Sequence, residues 1–396
     1  MVNKFVQNKY KDNSYLEDEV FNALELANQD NSPDKINGSI GSLYDENNSL
    51  VAFHSFYYNF RQLSNIQMAP YSSPRGIPEF IDAIGLNLFA GFVKYYNGFV
   101  TPGSTLALYM AISNFVKEGD FVLIPDIAWS TYETIIQESH AQVKTYEMFQ
   151  NNEGTFIDLI KQIKELSQSQ KQIVIIINSP GHNPTGFSYS TVQWLELIAF
   201  LNTIKENIIL INDVAYIDYA YSSTSKKYFK YFEASNDNIV PIVTYSCSKS
   251  FSIYGLRLGV LFVIKRNNEL INAFIRSAQG IYSASNTGAQ LALIETLKKE
   301  QYKKERKEYI NLLSRRKDLF ITKANELNIP YYPHNEGFFI TVPLKNKIIE
   351  INNYLIKNHI YLVVIKQGLR IALSSVSLNK IEPLLIKIKE ALDEFK

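Results

Sequence analysis

One lysine, Lys249, lies in a run of small polar residues, and an arginine follows it eight residues later. A lysine amine forms a Schiff base with a carbonyl compound when burial or a neighbouring cation keeps the amine neutral. The hydroxyls of Ser246 and Ser248 and the guanidinium of Arg257 are donors that suit a phosphate dianion. The stretch therefore predicts a site for an aldehyde that carries a phosphate. A polar surface loop is the structural alternative, since most lysines are exposed.

The whole stretch from residue 246 to residue 259, SCSKSFSIYGLRLG, resembles the lysine signature of the class I and II aminotransferases. These are fold-type I enzymes that use pyridoxal 5'-phosphate (PLP), and the resemblance is closest to their aspartate and aromatic branch. It implies that Lys249 binds PLP covalently and acts in catalysis, and that Ser246, Ser248 and Arg257 bind the phosphate. It also implies a ping-pong transfer of an amino group from an L-amino acid to a 2-oxo acid.

An apolar run at residues 208–211 ends in Asn212 and Asp213, and Tyr216 follows three residues later. Such a run is typical of a buried parallel strand. The segment resembles the family's Asp-x-Ala-Tyr element, which implies that Asp213 contacts the ring nitrogen of PLP and Tyr216 its phenolic oxygen. A strand end with a helix-capping aspartate is the alternative.

A second apolar run, at residues 173–177, leads into a turn that contains Asn183-Pro184-Thr185-Gly186. Asn-Pro and Thr-Gly pairs are common in turns. The string is similar to the family loop whose asparagine donates to the phenolic oxygen of PLP, so Asn183 takes that role and also contacts substrate. The histidine before it, His182, is similar to the pattern of the aspartate and aromatic branch.

A glycine and two hydroxyl residues, Gly103, Ser104 and Thr105, precede a helical apolar pattern. The free N–H groups and the dipole at a helix start attract anions, although a simple helix cap has the same pattern. The segment resembles the family's phosphate turn.

Trp129 follows a short apolar strand and resembles the ring that stacks on the pyridine of PLP. The aspartate branch has a histidine three residues later where this chain has Tyr132, which leaves hydrogen-bonding support for Asp213 open.

Three further residues bear on substrate and assembly. Arg370 lies in a short alternating strand, where a buried cation needs an anionic partner, and it resembles the family arginine that binds the substrate carboxylate. Gly41 lies in a glycine-containing segment that lacks the third glycine and the strand and helix of a dinucleotide-binding loop. The segment resembles the family's N-terminal segment, which crosses the mouth of the site. This resemblance implies that Gly41 contacts the substrate. Tyr71 resembles the tyrosine that reaches the phosphate of the neighbouring subunit, so a homodimer is expected.

Residues from about 100 to 265 alternate short apolar strands with helical segments, which predicts an α/β fold with a mainly parallel sheet covered on both faces. The candidate residues follow these strands, at the edge where such sheets bind ligands. We expect a large PLP-binding domain over residues 47–299 and a small α+β domain formed by residues 1–46 and 300–396. A long helix at residues 300–327 should be followed by a strand, a helix, two short strands and a final helix from about Leu378.

Composition agrees with an ordinary enzyme. The formal net charge of +1 gives no reason to expect binding to nucleic acid or to an anionic membrane surface. Cys247 is the single cysteine, which excludes an intramolecular disulfide and a cysteine-based zinc cluster, and the five histidines lack metal-ligand spacing. Residues 1–9 show no apolar run typical of a signal peptide, so a cytoplasmic location is expected.

The substrate side chain is the least determined feature. Dicarboxylate enzymes of the aspartate branch use a second arginine before a Tyr-Ser pair, and residues 277–283 have none at that place, which favours neutral or aromatic amino acids. A PLP-dependent β-eliminating carbon–sulfur lyase shares nearly all of these residues and is the alternative. A PLP-binding regulatory module would need an attached DNA-binding domain, for which the roughly 40 residues before Gly41 are too few.

Overall fold

The computed structural model describes residues 19–222, 224–265 and 268–395. Within these ranges the strands are β1 (Ile36–Asn37), β2 (Tyr96–Thr101), β3 (Phe121–Pro125), β4 (Gln142–Tyr146), β5 (Phe149–Gln150), β6 (Glu153–Gly154), β7 (Gln172–Asn178), β8 (Asn207–Asp213), β9 (Ile239–Ser246), β10 (Gly259–Ile264), β11 (Phe339–Pro343), β12 (Ile360–Tyr361), β13 (Val363–Ile365) and β14 (Gly368–Ala372).

The α-helices of the same ranges are α1 (Glu19–Gln29), α2 (His54–Gln62), α3 (Asn65–Met68), α4 (Pro78–Phe89), α5 (Ser104–Ser113), α6 (Thr131–Glu138), α7 (Ile157–Leu166), α8 (Thr191–Leu201), α9 (Phe229–Glu233), α10 (Cys247–Ser250), α11 (Asn268–Ile281), α12 (Thr287–Leu297), α13 (Glu300–Glu326), α14 (Ile348–Lys357) and α15 (Leu378–Glu394). Short 3-10 turns occupy Ile217–Tyr219, Tyr254–Leu256 and Leu373–Ser375. None of these helices combines the length and the apolar character needed to cross a membrane.

Seven strands form one sheet in the order β2-β10-β9-β8-β7-β3-β4. The five strands from β9 to β4 in this order are parallel, and β10 runs antiparallel to both of its neighbours. The register pairs Asn178 with Asp213 and Asp213 with Thr244 at the carboxyl ends of β7, β8 and β9. This arrangement confirms the predicted α/β fold with a mainly parallel sheet, and it brings the polar residues that end these strands to one edge.

Both faces of the sheet are buried, as the apolar runs in the sequence predicted. Side chains of a strand point alternately to opposite faces. On β7, Ile173, Ile175 and Ile177 join one apolar core, whereas Val174 and Ile176 join another on the opposite face. Helices therefore cover the sheet on two sides, which leaves its carboxyl edge as the accessible place for a ligand.

A smaller antiparallel sheet has the order β11-β14-β13 and holds Arg370 at its centre, paired with Thr341 and Val363. It shares a third apolar core with Ile36 and with residues between Phe320 and Ala391. The proposed division into residues 47–299 and residues 1–46 with 300–396 stays a prediction, and residues 1–18 of it lie outside the described part of the chain.

The predicted long helix corresponds to α13 and the predicted final helix to α15. The prediction of two short strands before α15 was wrong, because the structure has three, β12, β13 and β14. The extra strand, Ile360–Tyr361, has only two residues and pairs with β1 outside the small sheet. A two-residue strand is too short to produce an alternating pattern.

Arg316 on α13 ties the segment after Gly41 to the small sheet. Its guanidinium is fully buried and donates to the carboxylate of Glu46 at 2.7 and 3.0 Å. It also donates to the backbone carbonyls of Tyr44 at 2.9 Å, Leu373 at 3.1 Å and Ser374 at 2.9 Å. These bonds hold the chain that crosses the site next to the strand that carries Arg370.

Candidate active site

A cavity of about 470 Å³ lies at the carboxyl edge of the large sheet. The ends of β7, β8 and β9 form its floor, α5 and α10 contribute their first residues, and β14 and the segment at residues 40–42 complete the wall. The cavity brings together most of the predicted site residues, namely Gly41, Ser104, Thr105, Trp129, Asn183, Asp213, Tyr216, Ser246, Ser248, Lys249, Arg257 and Arg370.

Lys249 lies on α10, directly after β9, and its side chain lines the cavity. Its Nζ donates to the carbonyl oxygen of Gly41 at 2.6 Å and lies 5.0 Å from the ring centroid of Tyr254. Burial, and then the positive charges of Arg370 and Arg257, lower the pKa of the Lys249 amine from 10.5 to about 8. About a tenth of the amine is therefore neutral at pH 7, which makes this lysine a competent nucleophile.

Asp213 ends β8 and is almost completely buried. Tyr132 on α6 donates to its Oδ2 at 2.6 Å, and the backbone N–H of Ala215 donates to its Oδ1 at 3.2 Å. Burial raises the pKa of the Asp213 carboxyl from 3.8 to about 6, while the bonds from Tyr132, Ala215 and Thr244 act in the opposite direction. The carboxylate is therefore mainly ionised at pH 7 and can pair with a protonated ring nitrogen.

Tyr132 answers the question that the sequence left open. Its hydroxyl makes the hydrogen bond that supports Asp213. Burial and the neighbouring carboxylate raise the pKa of this phenol well above 10, so it stays a neutral donor. Trp129 lines the cavity nearby, with its ring edge-on to Tyr132 at 5.4 Å between centroids.

Asn183, Tyr216 and Arg370 lie close together in the cavity wall. Arg370 is 5 % exposed, and its Nη2 donates to the carbonyl oxygen of Ser39 at 2.6 Å. Its Nη1 lies 3.4 Å from Oδ1 of Asn183, and its guanidinium lies 4.6 Å from the ring centroid of Phe339. Burial raises the pKa of the Tyr216 phenol, and the charge of Arg370 opposes that rise. The group presents a cation, an amide and a phenol to one part of the cavity.

The start of α5 and Arg257 form a corner suited to an anion. Ser104 and Thr105 begin α5, whose N-terminus receives no hydrogen bond from a capping side chain. Gly103 before them has φ +85°, and a Cβ on it would lie 2.5 Å from Nη2 of Arg257. Arg257 donates to the carbonyl oxygen of Tyr254 at 3.0 Å and lies 3.4 Å from Oγ of Ser248. Unpaired N–H groups, hydroxyls and a guanidinium thus face the same space.

Two predicted residues do not line the cavity. Gly103 lies behind Arg257, where its lack of a side chain makes room for the guanidinium. Tyr71 is 93 % exposed on the surface of the chain, so the structure neither supports nor contradicts a contact across a subunit boundary.

The sequence missed several residues of the cavity wall. Tyr254 lies within the lysine signature and Phe339 begins β11, and the sequence indicated no role for either. The hydroxyl of Tyr254 accepts the backbone N–H of Leu43 at 2.9 Å. Val20, Phe21 and Ile40 also line the cavity. No motif marks these three apolar residues, and only the folded chain brings them to the mouth.

The described residues of the cavity include no arrangement of metal ligands. Among the described residues, no group of three or more His, Cys, Asp or Glu side chains could hold a metal ion. Cys247 is buried within α10, and burial raises the pKa of its thiol well above 9, so a reactive thiolate is not expected there.

Comparison with known proteins agrees with these features. A family model described as "Aminotransferase class I and II" matches residues 33–388. An aspartate aminotransferase of Sulfurisphaera tokodaii is 25 % identical over 300 residues, which are 75 % of this chain and 72 % of that protein. The crystal structure of an aminotransferase from Anaerococcus prevotii has a TM-score of 0.92 at 29 % identity and covers 98 % of this chain and 99 % of its own.

A more distant solved structure shows the same fold. An aromatic-amino-acid aminotransferase from Burkholderia pseudomallei, covalently bound to pyridoxal phosphate, has a TM-score of 0.81 at 17 % identity. The match covers 96 % of this chain and 98 % of that one.

Proposed function

Because this chain belongs to the aminotransferase class I and II family, we propose a role for each residue around Lys249 in amino-group transfer. The protein is a PLP-dependent aminotransferase of the aspartate and aromatic branch. The observation that carries the proposed roles is the position of Lys249, whose amine faces the same cavity as the Asp213 carboxylate and the guanidinium groups of Arg257 and Arg370.

The donor set of the cavity fits PLP. The corner formed by Ser104, Thr105, Ser248 and Arg257 suits the phosphate, with Gly103 giving the guanidinium its space and Ser246 at the start of α10 adding a hydroxyl. Lys249 would hold the aldehyde carbon, and the ionised Asp213 would accept a hydrogen bond from the ring nitrogen. Trp129 supplies an aromatic face for stacking, and Tyr216 and Asn183 supply donors for the phenolic oxygen.

Bound PLP supplies an electron sink that stabilises negative charge at the substrate Cα. Asp213 keeps the ring nitrogen protonated and so preserves the strength of that sink. The Lys249 amine, freed when the substrate amine takes its place, would act as general base on the proton at the substrate Cα and then as general acid that delivers this proton to C4′ of the cofactor. Its pKa of about 8 is close to the working pH, which suits both directions of the transfer.

Arg370 is proposed to bind the α-carboxylate of the substrate. Its guanidinium is buried, and a buried cation gains most from an anion that it can meet with two parallel hydrogen bonds. Gly41, whose carbonyl oxygen accepts a hydrogen bond from the Lys249 amine at 2.6 Å, is proposed to contact the substrate as well. Asn183, 3.4 Å from Arg370, completes the carboxylate site.

For the substrate side chain we propose a preference for neutral or aromatic amino acids. The absence of a second arginine from residues 277–283 and the apolar side chains of Val20, Phe21 and Ile40 at the cavity support it. A panel of amino acids with 2-oxoglutarate as acceptor tests the preference. Phenylalanine, tyrosine or a neutral aliphatic donor should give the highest kcat/KM, and a strong preference for aspartate would contradict it.

The same panel separates amino-group transfer from β-elimination. A transaminase needs the 2-oxo acid and forms glutamate from 2-oxoglutarate. Release of pyruvate and ammonia from cystathionine without any 2-oxo acid would instead indicate lyase activity.

We also propose that the enzyme is a cytoplasmic homodimer in which Tyr71 contacts the phosphate bound by the partner subunit. The exposure of this phenol, 93 %, supports a role outside its own chain. Light scattering should give twice the 45.4 kDa of one chain, and Tyr71→Phe should weaken PLP binding without changing that mass. A fully active monomer would contradict the proposal.

A further inference from the structure

Glu336 is a buried carboxylate to which the reaction as described gives no role. It lies just before β11 and is 6 % exposed, and it is not among the residues that line the cavity. Its Oε1 accepts the hydroxyl of Ser188 at 2.8 Å, and its Oε2 accepts the backbone N–H of Tyr221 at 2.7 Å. One side chain therefore joins two loops of the large sheet to a strand of the small sheet.

The first of these loops carries Asn183. The Ser188 hydroxyl oxygen also accepts the backbone N–H of Gly181 at 2.9 Å, so the bond to Glu336 acts two residues from Asn183. The backbone N–H groups of Asn335 and Glu336 both donate to the carbonyl oxygen of Gly186, at 2.9 and 3.0 Å. The loop from residue 181 to residue 188 is thus held against the segment that contains Glu336.

The second loop carries Tyr216. Tyr221 follows it by five residues, and the 3-10 turn Ile217–Tyr219 lies between them. The two loops and the segment that contains Glu336 are closely packed against one another. A Cβ on Gly181 would lie 3.0 Å from Cβ of Tyr216 and 3.3 Å from Cα of Gly337. A small movement of Glu336 would consequently be felt at both Asn183 and Tyr216.

We propose that Glu336 is a positioning residue that fixes the spacing of Asn183 and Tyr216, and through them the hydrogen bonding to the phenolic oxygen of PLP. The inference rests on the roles proposed above for these two residues. A carboxylate suits the task because each of its oxygens accepts one donor from a different loop. Glutamine keeps the shape but turns an N–H group toward one of those donors.

Charged and titratable groups lie near the Glu336 carboxylate and near the expected position of the phenolic oxygen of PLP. Burial raises the pKa of the Glu336 carboxyl, and the hydrogen bonds from Ser188 and Tyr221 oppose that rise. The charge of Lys317 on α13, whose Nζ lies 5.0 Å from the ring centroid of Tyr221, opposes it as well. His334 is partly buried on the same segment, and desolvation of its ring lowers its pKa to about 3, so it stays neutral. Around the phenolic oxygen, the titratable and charged groups that line the cavity are Asp213, Tyr132, Tyr216, Lys249, Tyr254, Arg257 and Arg370.

The test uses the PLP-loaded enzyme without substrate. Glu336→Gln and Ser188→Ala each remove one bond of the arrangement. Glu305→Gln is the matched control, because Glu305 is another buried glutamate that accepts a serine hydroxyl and a backbone N–H, both of Ser55, away from the cavity lining. The readout is the pH midpoint of the absorbance change of bound PLP, followed by kcat and KM for one amino acid.

Weaker donors to the phenolic oxygen raise its proton affinity, so the midpoint should move to higher pH by at least about half a unit in both variants. The midpoint of Glu305→Gln should equal that of wild type. An unshifted midpoint in Ser188→Ala, or in Glu336→Gln where that variant folds, overturns the role of Glu336. If the PLP bound to the wild-type enzyme shows no pH-dependent absorbance change, the roles proposed for Asn183 and Tyr216 are wrong. The inference about Glu336 then fails with them.

Discussion

The hydroxyl of Tyr132 donates a 2.6 Å hydrogen bond to Oδ2 of Asp213 on the floor of the cavity. The carboxylate is buried, and this phenol is the first of the contacts that oppose the effect of burial on its pKa. Since the phenol itself does not ionise in the physiological range, the support that it gives should not change with pH. This distinguishes Tyr132 from a histidine, which would titrate at that position.

Replacing Tyr132 by Phe tests this relationship. Loss of the hydrogen bond should raise the Asp213 pKa above about 6, by roughly half to one unit, because a donor to the charged form is removed. The ring nitrogen then loses its ionised partner at a higher pH, and the acid limb of the kcat/KM profile moves up by the same amount. The control Tyr146→Phe removes another buried phenol that does not bond to Asp213. An acid limb identical in Tyr132→Phe and wild type would show that the bond does not matter.

Gly103→Ala tests the phosphate corner. The added Cβ would lie 2.5 Å from Nη2 of Arg257 and must displace the guanidinium. Gly119→Ala is the matched control, because Gly119 has the same φ of +85° but only the amide nitrogen of Gln142, 3.9 Å away, near its Cβ position.

Both variants should lose folding stability to backbone strain, on the order of 1–3 kcal/mol. Only Gly103→Ala should also weaken PLP binding, by about tenfold or more, since charge-assisted bonds to the phosphate are disturbed. Titration of each protein with PLP, monitored by absorbance, gives the dissociation constants. Equal affinities in the two variants would place the phosphate elsewhere.

Asp213→Asn should stabilise the protein in the absence of PLP. The folded state binds the Asp213 proton more tightly than the unfolded state, with a pKa of about 6 against 3.8. Wild-type stability therefore falls as the pH rises from about 4 to about 6, by up to ~3 kcal/mol, and is constant above that range as far as this group is concerned.

The Asp213→Asn variant does not lose stability in this way, because asparagine carries no ionisable group. Its advantage in urea unfolding should be about 1–3 kcal/mol at pH 7.5 and should vanish near pH 4, while its activity is lost. Asp237→Asn, at an exposed position, serves as the control. A stability difference that is independent of pH would mean that the Asp213 carboxyl is not strained by burial.

The Lys249 amine should react with aldehydes at unusually low pH. Its pKa is lowered to about 8, so the rate of adduct formation with pyridoxal should rise with a midpoint near pH 8. Pyridoxal carries no phosphate, which allows the same assay on Arg257→Met. Removal of that charge should move the midpoint upward. A midpoint near 10.5 in wild type would indicate that Lys249 is solvated.

Much of this arrangement could be predicted from the sequence. Continuous apolar runs such as residues 173–177 and 208–211 are typical of strands buried on both faces, and the strands that contain them, β7 and β8, end in Asn178 and Asp213, which line the cavity. The sequence therefore locates Asp213 at a strand end and Asn183 in the turn that follows β7. Their neighbourhood follows from parallel strands ending at one edge of a sheet.

Other contacts depend on the folded chain. Glu336 and Ser188 are 148 positions apart, and no sequence pattern indicates a contact between them. The apolar residues Val20 and Phe21 reach the cavity from α1, and no local pattern distinguishes them from a core-facing stripe. Sequence patterns report local periodicity, whereas these contacts arise from the packing of distant segments.

The central claim is that Lys249 binds PLP and performs the proton transfer. The most direct test is an absorbance scan of the purified PLP-loaded protein before and after addition of an amino acid, with Lys249→Ala measured in parallel. We predict that the amino acid converts the visible cofactor band of wild type to the spectrum of pyridoxamine phosphate, and that Lys249→Ala gives no turnover. A wild-type protein that binds no PLP, or a Lys249→Ala variant that retains activity, would contradict the account.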